Sequence, residues 1–116
     1  MDFQGNSRIK IQPHTENYPI RFIFPIAPSV DGGGAIPYGN TIVSAQIKAY
    51  DPDGLDVSAQ LVDNVYVPSS NVVTATLSYF TGAKEGAYKL TVILELSSGE
   101  YTDEFDATRR VVVKDT

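Results

Sequence analysis

Apolar and polar residues alternate with a period of two along most of this chain, and this alternation constrains the fold more than any other feature of the sequence. The clearest run is residues 87–96, whose alternate positions are Tyr88, Leu90, Val92, Leu94 and Leu96. Successive side chains of a β-strand point to opposite faces of a sheet, so the run predicts a strand with one buried face. No comparable run has the 3.6-residue period of an amphipathic helix.

Further strands are predicted at intervals of about ten residues. They are expected at residues 8–12, 18–25, 42–50, 57–67, 71–79 and 101–114. The first is expected at a sheet edge, because Pro13 follows it and cannot donate to a ladder. The second is expected to be a core strand, with Ile20, Phe22 and Phe24 turned inward and Arg21 outward.

Several inward positions follow from the same parity. In residues 42–50 they are Val43, Ala45, Ile47 and Ala49; in residues 57–67 they begin with Val57, Ala59 and Leu61; in residues 71–79 they are Val73, Ala75, Leu77 and Tyr79. A bulge or a change of sheet is expected near Asp63-Asn64. In the last strand, Tyr101, Phe105, Ala107, Val111 and Val113 are expected inward, which requires a bulge within residues 106–110 because the same parity would bury Asp103 and Arg109.

Turn residues separate these runs. Asp51-Pro52-Asp53-Gly54 has the residues of a β-turn, and residues 97–100 predict a short hairpin that makes the last two strands antiparallel. Residues 27–41 hold two prolines and four glycines and are expected to form the longest loop. Within it, Gly32, Gly33 and Gly34 are interpreted as flexible spacer that can contact a partner; no helix follows them, as a phosphate-binding loop requires.

These features predict one all-β domain, an immunoglobulin-like antiparallel sandwich of about seven strands, with a small closed barrel as the rival. The 116 residues suit a single domain over 1–116, with its core in residues 18–114 and a short N-terminal edge segment in residues 1–17. The chain has no cysteine, so packing alone must stabilise it. With no cysteine pair and no tryptophan, it is not an antibody-type domain.

Charge limits the classes of partner. Nine Lys and Arg against fourteen Asp and Glu give a formal net charge of −5, which repels phosphate backbones and anionic lipid. We therefore expect neither nucleic acid nor membrane as a partner. The sequence shows neither a signal peptide nor eighteen consecutive apolar residues, so a soluble protein is expected.

The sequence offers few residues that could serve in catalysis or bind zinc. His14 is the sole histidine and lies beside Pro13 in a predicted surface turn, without a nucleophile motif such as G-x-S-x-G. Zinc sites need several His or Cys ligands. Glu100, Asp103, Glu104 and Asp106 crowd one hairpin, which favours a solvated acidic edge over a glycosidase carboxylate pair. We expect no enzyme activity, no catalytic residue and no cofactor.

Calcium is the one metal that the sequence leaves open. Asp51, Asp53 and Asp56 supply closely spaced carboxylates, the ligands that this cation prefers, and Asp31 could add another if its loop folds back. The segment lacks the further acidic or amide position and the downstream glutamate of an EF-hand loop. A solvated β-turn is therefore favoured, and no metal site is predicted.

Three short stretches resemble a known group of proteins. They are residues 39–45 (GNTIVSA), residues 50–58 with D-P-D-G, and residues 86–92 (GAYKLTV), followed by Ser98-Gly99 and the closing Val111-Val112-Val113. Over about residues 18–114 they are similar to small fibre-to-tail adaptor proteins of tailed bacteriophages. The insertion at residues 29–38 departs from the compact pattern of that group. D-P-D-G and G-x-Y features occur also in cadherin-like and other bacterial adhesion repeats.

The resemblance implies a non-catalytic structural or adaptor protein of a phage or prophage particle. Its partners would be other protein subunits of a tail or fibre assembly, and its location the virion, or the host cytoplasm before assembly. The alternative is a calcium- or glycan-binding adhesion module, motivated by Asp51, Asp53 and Asp56. The two hypotheses predict different ligands for the same fold, a protein surface in one case and a cation or sugar in the other.

Overall fold

A computed structural model describes the backbone of residues 8–114 and the side chains of residues 9–107 and 111–114. The described chain contains seven strands and one short helix. They are β1 (Arg8–Ile11), β2 (Tyr18–Ile23), β3 (Ile42–Tyr50), α1 (Ser58–Leu61), β4 (Val62–Ser69), β5 (Val72–Leu77), β6 (Gly86–Leu96) and β7 (Phe105–Val113).

The strands form two sheets, with the order β1-β7-β6-β3 in one and β2-β5-β4 in the other. All pairings are antiparallel except that of β1 with β7, which is parallel. The second sheet corresponds to strands B, E and D of an immunoglobulin domain, and β3, β6 and β7 correspond to C, F and G. The predicted all-β sandwich is confirmed, and the closed barrel is excluded because the two sheets are separate.

The core lies between the sheets and is built from the side chains that the period-two pattern turns inward. Leu90, Val92 and Leu94 on β6 and Val73 and Leu77 on β5 are fully buried. Burial of each such side chain stabilises the fold by about 1.5–3 kcal/mol. Strand β1 is a sheet edge, as predicted, yet Ile9 and Ile11 are among the most buried residues. The core therefore begins before residue 18, which was its predicted start.

The expected strand at residues 57–61 is wrong. Ser58–Leu61 is a single helical turn, with the amide of Leu61 bonded to the carbonyl of Val57. Val57 and Leu61 are buried whereas Ala59 is exposed. Residues four apart share a face in a helix as well as in a strand, so the burial of Val57 and Leu61 fits either structure and the exposure of Ala59 fits only the helix.

Bulges decide the remaining inward positions. The register of β3 shifts between Ile42 and Ser44, and this turns Val43 out to solvent, against the expectation that it faces inward. The break expected near Asp63-Asn64 is confirmed by a register shift between Asp63 and Tyr66. The bulge expected within residues 106–110 is confirmed as well, because Lys89 pairs with Arg110 and Thr91 pairs with Asp106.

Candidate interaction surface

Three connections meet at one end of the sandwich. Because β2, β4 and β6 run toward this end and β3, β5 and β7 run away from it, residues 24–41, 70–71 and 97–103 lie together there. Glu104, the last residue of the third connection, is not counted with them because it bonds to Tyr50 and Thr91 on the larger sheet. We call these three connections the loop pole. In immunoglobulin variable domains, the end that holds the B–C and F–G loops is the one that binds antigen.

Hydrogen bonds join the connections to one another. The amide of Thr41 donates to Ser97 Oγ at 3.0 Å, and the amide of Ser97 donates back to the carbonyl of Thr41 at 2.9 Å. Asn40 Oδ1 accepts from the amide of Ser98 at 3.1 Å. The third connection is attached through the carbonyl of Ser70, which accepts from the amide of Ile42 at 2.8 Å. These bonds join all three connections within the domain itself, and such preorganisation lowers the entropy cost of binding.

The long loop is anchored by Ile36, which has no exposed surface. The amide of Ile36 donates to the carbonyl of Pro25 at 3.1 Å, and its carbonyl accepts from the amide of Ala27 at 2.8 Å. Gly34 passes so close to this contact that an added Cβ would lie 2.6 Å from the amide nitrogen of Ala27. The interpretation of Gly34 as flexible spacer is therefore wrong, and only Gly33 of the three glycines has open space around it.

Exposed apolar side chains concentrate at the loop pole. Among the described residues, eight large hydrophobic side chains are exposed. Five of them lie on the loop pole or on the strand ends that border it: Ile23, Val30, Tyr38, Val43 and Tyr101. Val30 is 83% and Tyr101 is 66% exposed. Exposed apolar and aromatic side chains at one end of a domain are a feature of many sites that bind other proteins.

A small hollow lies where the long loop meets the start of β7. It is lined by Ala35, Thr102, Asp103 and Phe105. The ring of Phe105 meets that of Phe24 edge-on, with the ring centroids 5.6 Å apart, which supports the floor of the hollow from the core. The hollow offers an apolar floor with a carboxylate at its margin.

A polar cluster lies on the outer face of the larger sheet, below the loop pole. Glu104 accepts hydrogen bonds from Thr91 Oγ1 at 2.5 Å and from the Tyr50 hydroxyl at 2.6 Å. These two bonds, that of Thr91 first, hold the pKa of Glu104 below its ordinary value. The bond to the Glu104 carboxylate also raises the pKa of Tyr50. The cluster ties the segment before β7 to β3 and β6.

The structure does not bring Asp51, Asp53 and Asp56 together as a calcium site. Asp51 Oδ1 accepts from the amides of Asp53 and Leu55, both at 2.9 Å, inside the predicted D-P-D-G turn. Asp53 pairs with Lys84, which raises the pKa of that lysine. Asp56 accepts from the hydroxyl and amide of Ser58, which lower the pKa of its carboxyl. Each carboxylate therefore has a partner of its own. Gly54, at φ +85°, confirms the turn.

The other candidate residues lie apart from any such site. His14 is exposed in the connection between β1 and β2, and Asp31 is exposed in the long loop. Glu100, Asp103, Glu104 and Asp106 are all exposed along one hairpin. Among the described residues, no group of three or more His, Asp or Glu side chains is arranged to hold a metal ion.

Sequence reasoning missed the exposed tyrosines. Tyr101 was expected inward, but β7 begins at Phe105 and Tyr101 forms only an isolated bridge with Glu95. Tyr38 stands in the glycine- and proline-rich loop, where no periodicity assigns a face. A tyrosine or valine inside such a polar, turn-rich loop is the one signal in the sequence that could have marked this surface.

No protein-family model matches the chain, and no curated protein matches it either. Within residues 8–114, no helix combines the length and the apolar character that a bilayer crossing requires.

Proposed function

We propose that this domain is a non-catalytic protein-binding module whose loop pole contacts another protein. The observation that carries the proposal is that Val30, Tyr38 and Tyr101 are exposed on connections that are hydrogen-bonded to one another. A preorganised surface loses less conformational entropy on binding than a mobile one. Tyr38 and Tyr101 offer large apolar rings with a polar tip, a combination enriched in protein interfaces.

We propose further that the module is an adaptor in the tail or fibre assembly of a phage particle, located in the virion, or in the host cytoplasm before assembly. This part rests on the resemblance of residues 39–45, 50–58 and 86–92 to fibre-to-tail adaptors. The adhesion-module alternative gains no support from Asp51, Asp53 and Asp56, the residues that motivated it, since each has its own hydrogen-bond partner.

Incorporation into particles tests the proposal. The chain is produced with an affinity tag in host cells that assemble particles, and the chain content of purified particles is measured by mass spectrometry. The unaltered chain is expected in the particles at a fixed ratio to the tail proteins. Its absence from every particle preparation would contradict the adaptor role.

Two variants test whether the loop pole is the surface that contacts the particle. A Tyr38→Ser, Tyr101→Ser double variant removes both exposed rings of the loop pole and is expected to lose most of its incorporation. Leu55→Ser is the matched control, because Leu55 is equally exposed but lies in the turn at the opposite end. Equal incorporation of the double variant and the control would show that binding does not use the loop pole.

A further inference from the structure

The loop pole carries charge of one sign only. Residues 24–41, 70–71 and 97–103 contain the acidic residues Asp31, Glu100 and Asp103 and no Lys, Arg or His. All three acidic residues are exposed, and none forms a salt bridge with a described side chain. Their charges are therefore exposed to solvent, on the same three connections that carry the exposed Val30, Tyr38 and Tyr101.

The opposite end of the sandwich is different. Its connections hold Asp53 beside Lys84, so part of its acidic charge is neutralised within the molecule. Lys48 and Lys89 lie on the outer face of the larger sheet, close enough to Glu104 to help lower the pKa of its carboxyl. The opposite end also holds exposed carboxylates without a salt bridge to a described side chain, such as Glu16 and Asp56. The loop pole differs because it combines acidic residues with no basic residue and, together with the strand ends that border it, has most of the exposed large apolar side chains of the described residues.

We propose that the loop pole docks on a basic surface of another protein, one that presents lysine or arginine side chains around an apolar patch. This inference rests on the proposed function and names the chemistry of its partner. The apolar floor of the hollow at Phe105 and the rings of Tyr38 and Tyr101 receive the apolar patch. Asp31, Glu100 and Asp103 meet basic side chains at the rim, where charge steers association and selects the partner.

Charge argues against the other occupants. Two copies of the chain that met through their loop poles would place six carboxylates in one interface, with no basic side chain of either pole to compensate them. An anionic lipid surface or a nucleic acid would face the same repulsion. A basic protein surface with an apolar patch is the partner that complements both the apolar side chains and the acidic residues of the loop pole.

Zero-length carbodiimide cross-linking on purified particles tests the inference directly. The reagent joins a carboxylate to an amine in direct contact, and mass spectrometry of the digested particles identifies both residues. Cross-links from Asp31, Glu100 or Asp103 to lysines of another protein are expected. Cross-links that come only from acidic residues at the opposite end, such as Glu16 or Asp56, would overturn the inference and leave the adaptor role standing.

A charge-matched pair of variants supplies the second measurement. Glu100→Gln with Asp103→Asn neutralises two carboxylates of the loop pole, and Glu16→Gln with Asp63→Asn neutralises two exposed carboxylates elsewhere, so both variants have the same net charge. Particles that carry each variant are washed with rising NaCl. We expect the loop-pole variant to be released at roughly half the salt concentration that releases the unaltered chain. The reason is that an interface that has lost charge pairs at its rim binds more weakly, so less salt is needed to dissociate it.

The outcomes separate the two proposals. Release of the loop-pole variant and the control at the same salt concentration would overturn the inference. A chain that is absent from the particles, with no cross-link to any other protein, would overturn the inference and the proposed function together. Circular dichroism and thermal unfolding of both variants confirm that the altered side chains, all of them on the surface, leave the fold intact.

Discussion

The phenolic hydroxyl of Tyr88 donates a hydrogen bond to the carbonyl oxygen of Lys84, four residues earlier, at a distance of 2.7 Å. Tyr88 lies near the start of β6 with only 4% of its surface exposed. A tyrosine at this place with this bond is the tyrosine corner of immunoglobulin-like sandwiches. It ties the connection that crosses from the smaller sheet to the larger one onto the core.

Tyr88→Phe is expected to lower the free energy of unfolding by about 1–3 kcal/mol, since it leaves the Lys84 carbonyl without the hydroxyl that satisfies it. Urea unfolding followed by circular dichroism measures the change. Tyr101→Phe is the control: it removes a hydroxyl from an exposed ring and is expected to change stability by less than about 0.5 kcal/mol. Equal effects of the two substitutions would mean that the corner bond does not contribute to stability.

The sequence predicted the sandwich because most strands have one buried face and turn residues at both ends. Strand β6 shows this directly, with Tyr88, Leu90, Val92, Leu94 and Leu96 all buried as expected. The bulge in β7 was predictable as well, since strict alternation would have buried Asp103 and Arg109. The local residue pattern was sufficient to predict a strand wherever burial of one face contributed most of the stabilising free energy.

The errors fall where a short segment satisfies two periods or where a bulge reverses parity. Val57 and Leu61 fit a strand and a helical turn equally well, and Val43 was assigned inward because the bulge beside it left no mark in the residue pattern. The loop pole was beyond sequence reasoning for another reason. Its contacts join residues far apart, such as Thr41 and Ser97, and they depend on which connections the sheet order brings to one end.

Gly34→Ala is expected to destabilise the domain by about 1–3 kcal/mol, because the new methyl group would overlap the backbone of Ala27 and Pro25. Gly33→Ala, one residue earlier, is the matched control, with nothing within 4 Å of the added Cβ. Thermal unfolding gives the stability of both variants. Amide chemical shifts of Ala27 and Ile36 are expected to move only in Gly34→Ala, and unchanged shifts there would contradict the close approach.

Acidification is expected to release the Glu104 cluster. The pKa of Glu104 is lowered by the hydrogen bonds from Thr91 and Tyr50, so its folded value lies below its unfolded value. A carboxyl with a depressed folded pKa stabilises the fold fully above its unfolded pKa, ordinarily near 4.5, and this contribution is lost as the pH falls through the folded value. Carboxyl NMR titration is expected to give Glu104 a pKa below 4.5.

Tyr50→Phe tests the cause of that shift. Removal of one of the two donors is expected to raise the pKa of Glu104 toward its ordinary value and to move the acid unfolding transition to higher pH. Glu100→Gln, which removes a neighbouring exposed carboxylate that does not contact Tyr50 or Thr91 among the described residues, serves as the control. A Glu104 titration that is the same in Tyr50→Phe and the unaltered chain would rule out this hydrogen bond as a cause.

Asp51→Ala is expected to cost about 1–3 kcal/mol of stability, whereas Asp53→Ala is expected to stay within about 0.5 kcal/mol. The reason is that Asp51 is buried and accepts from the amides of Asp53 and Leu55, while the pair of Asp53 with Lys84 is exposed. Urea unfolding with and without millimolar calcium measures both effects at once. Because the three aspartates are bound to separate partners, calcium is expected to leave the unfolding midpoint unchanged. If the midpoint rises with calcium in the unaltered chain but not in Asp53→Ala, the turn rearranges into a cation site and this expectation is wrong.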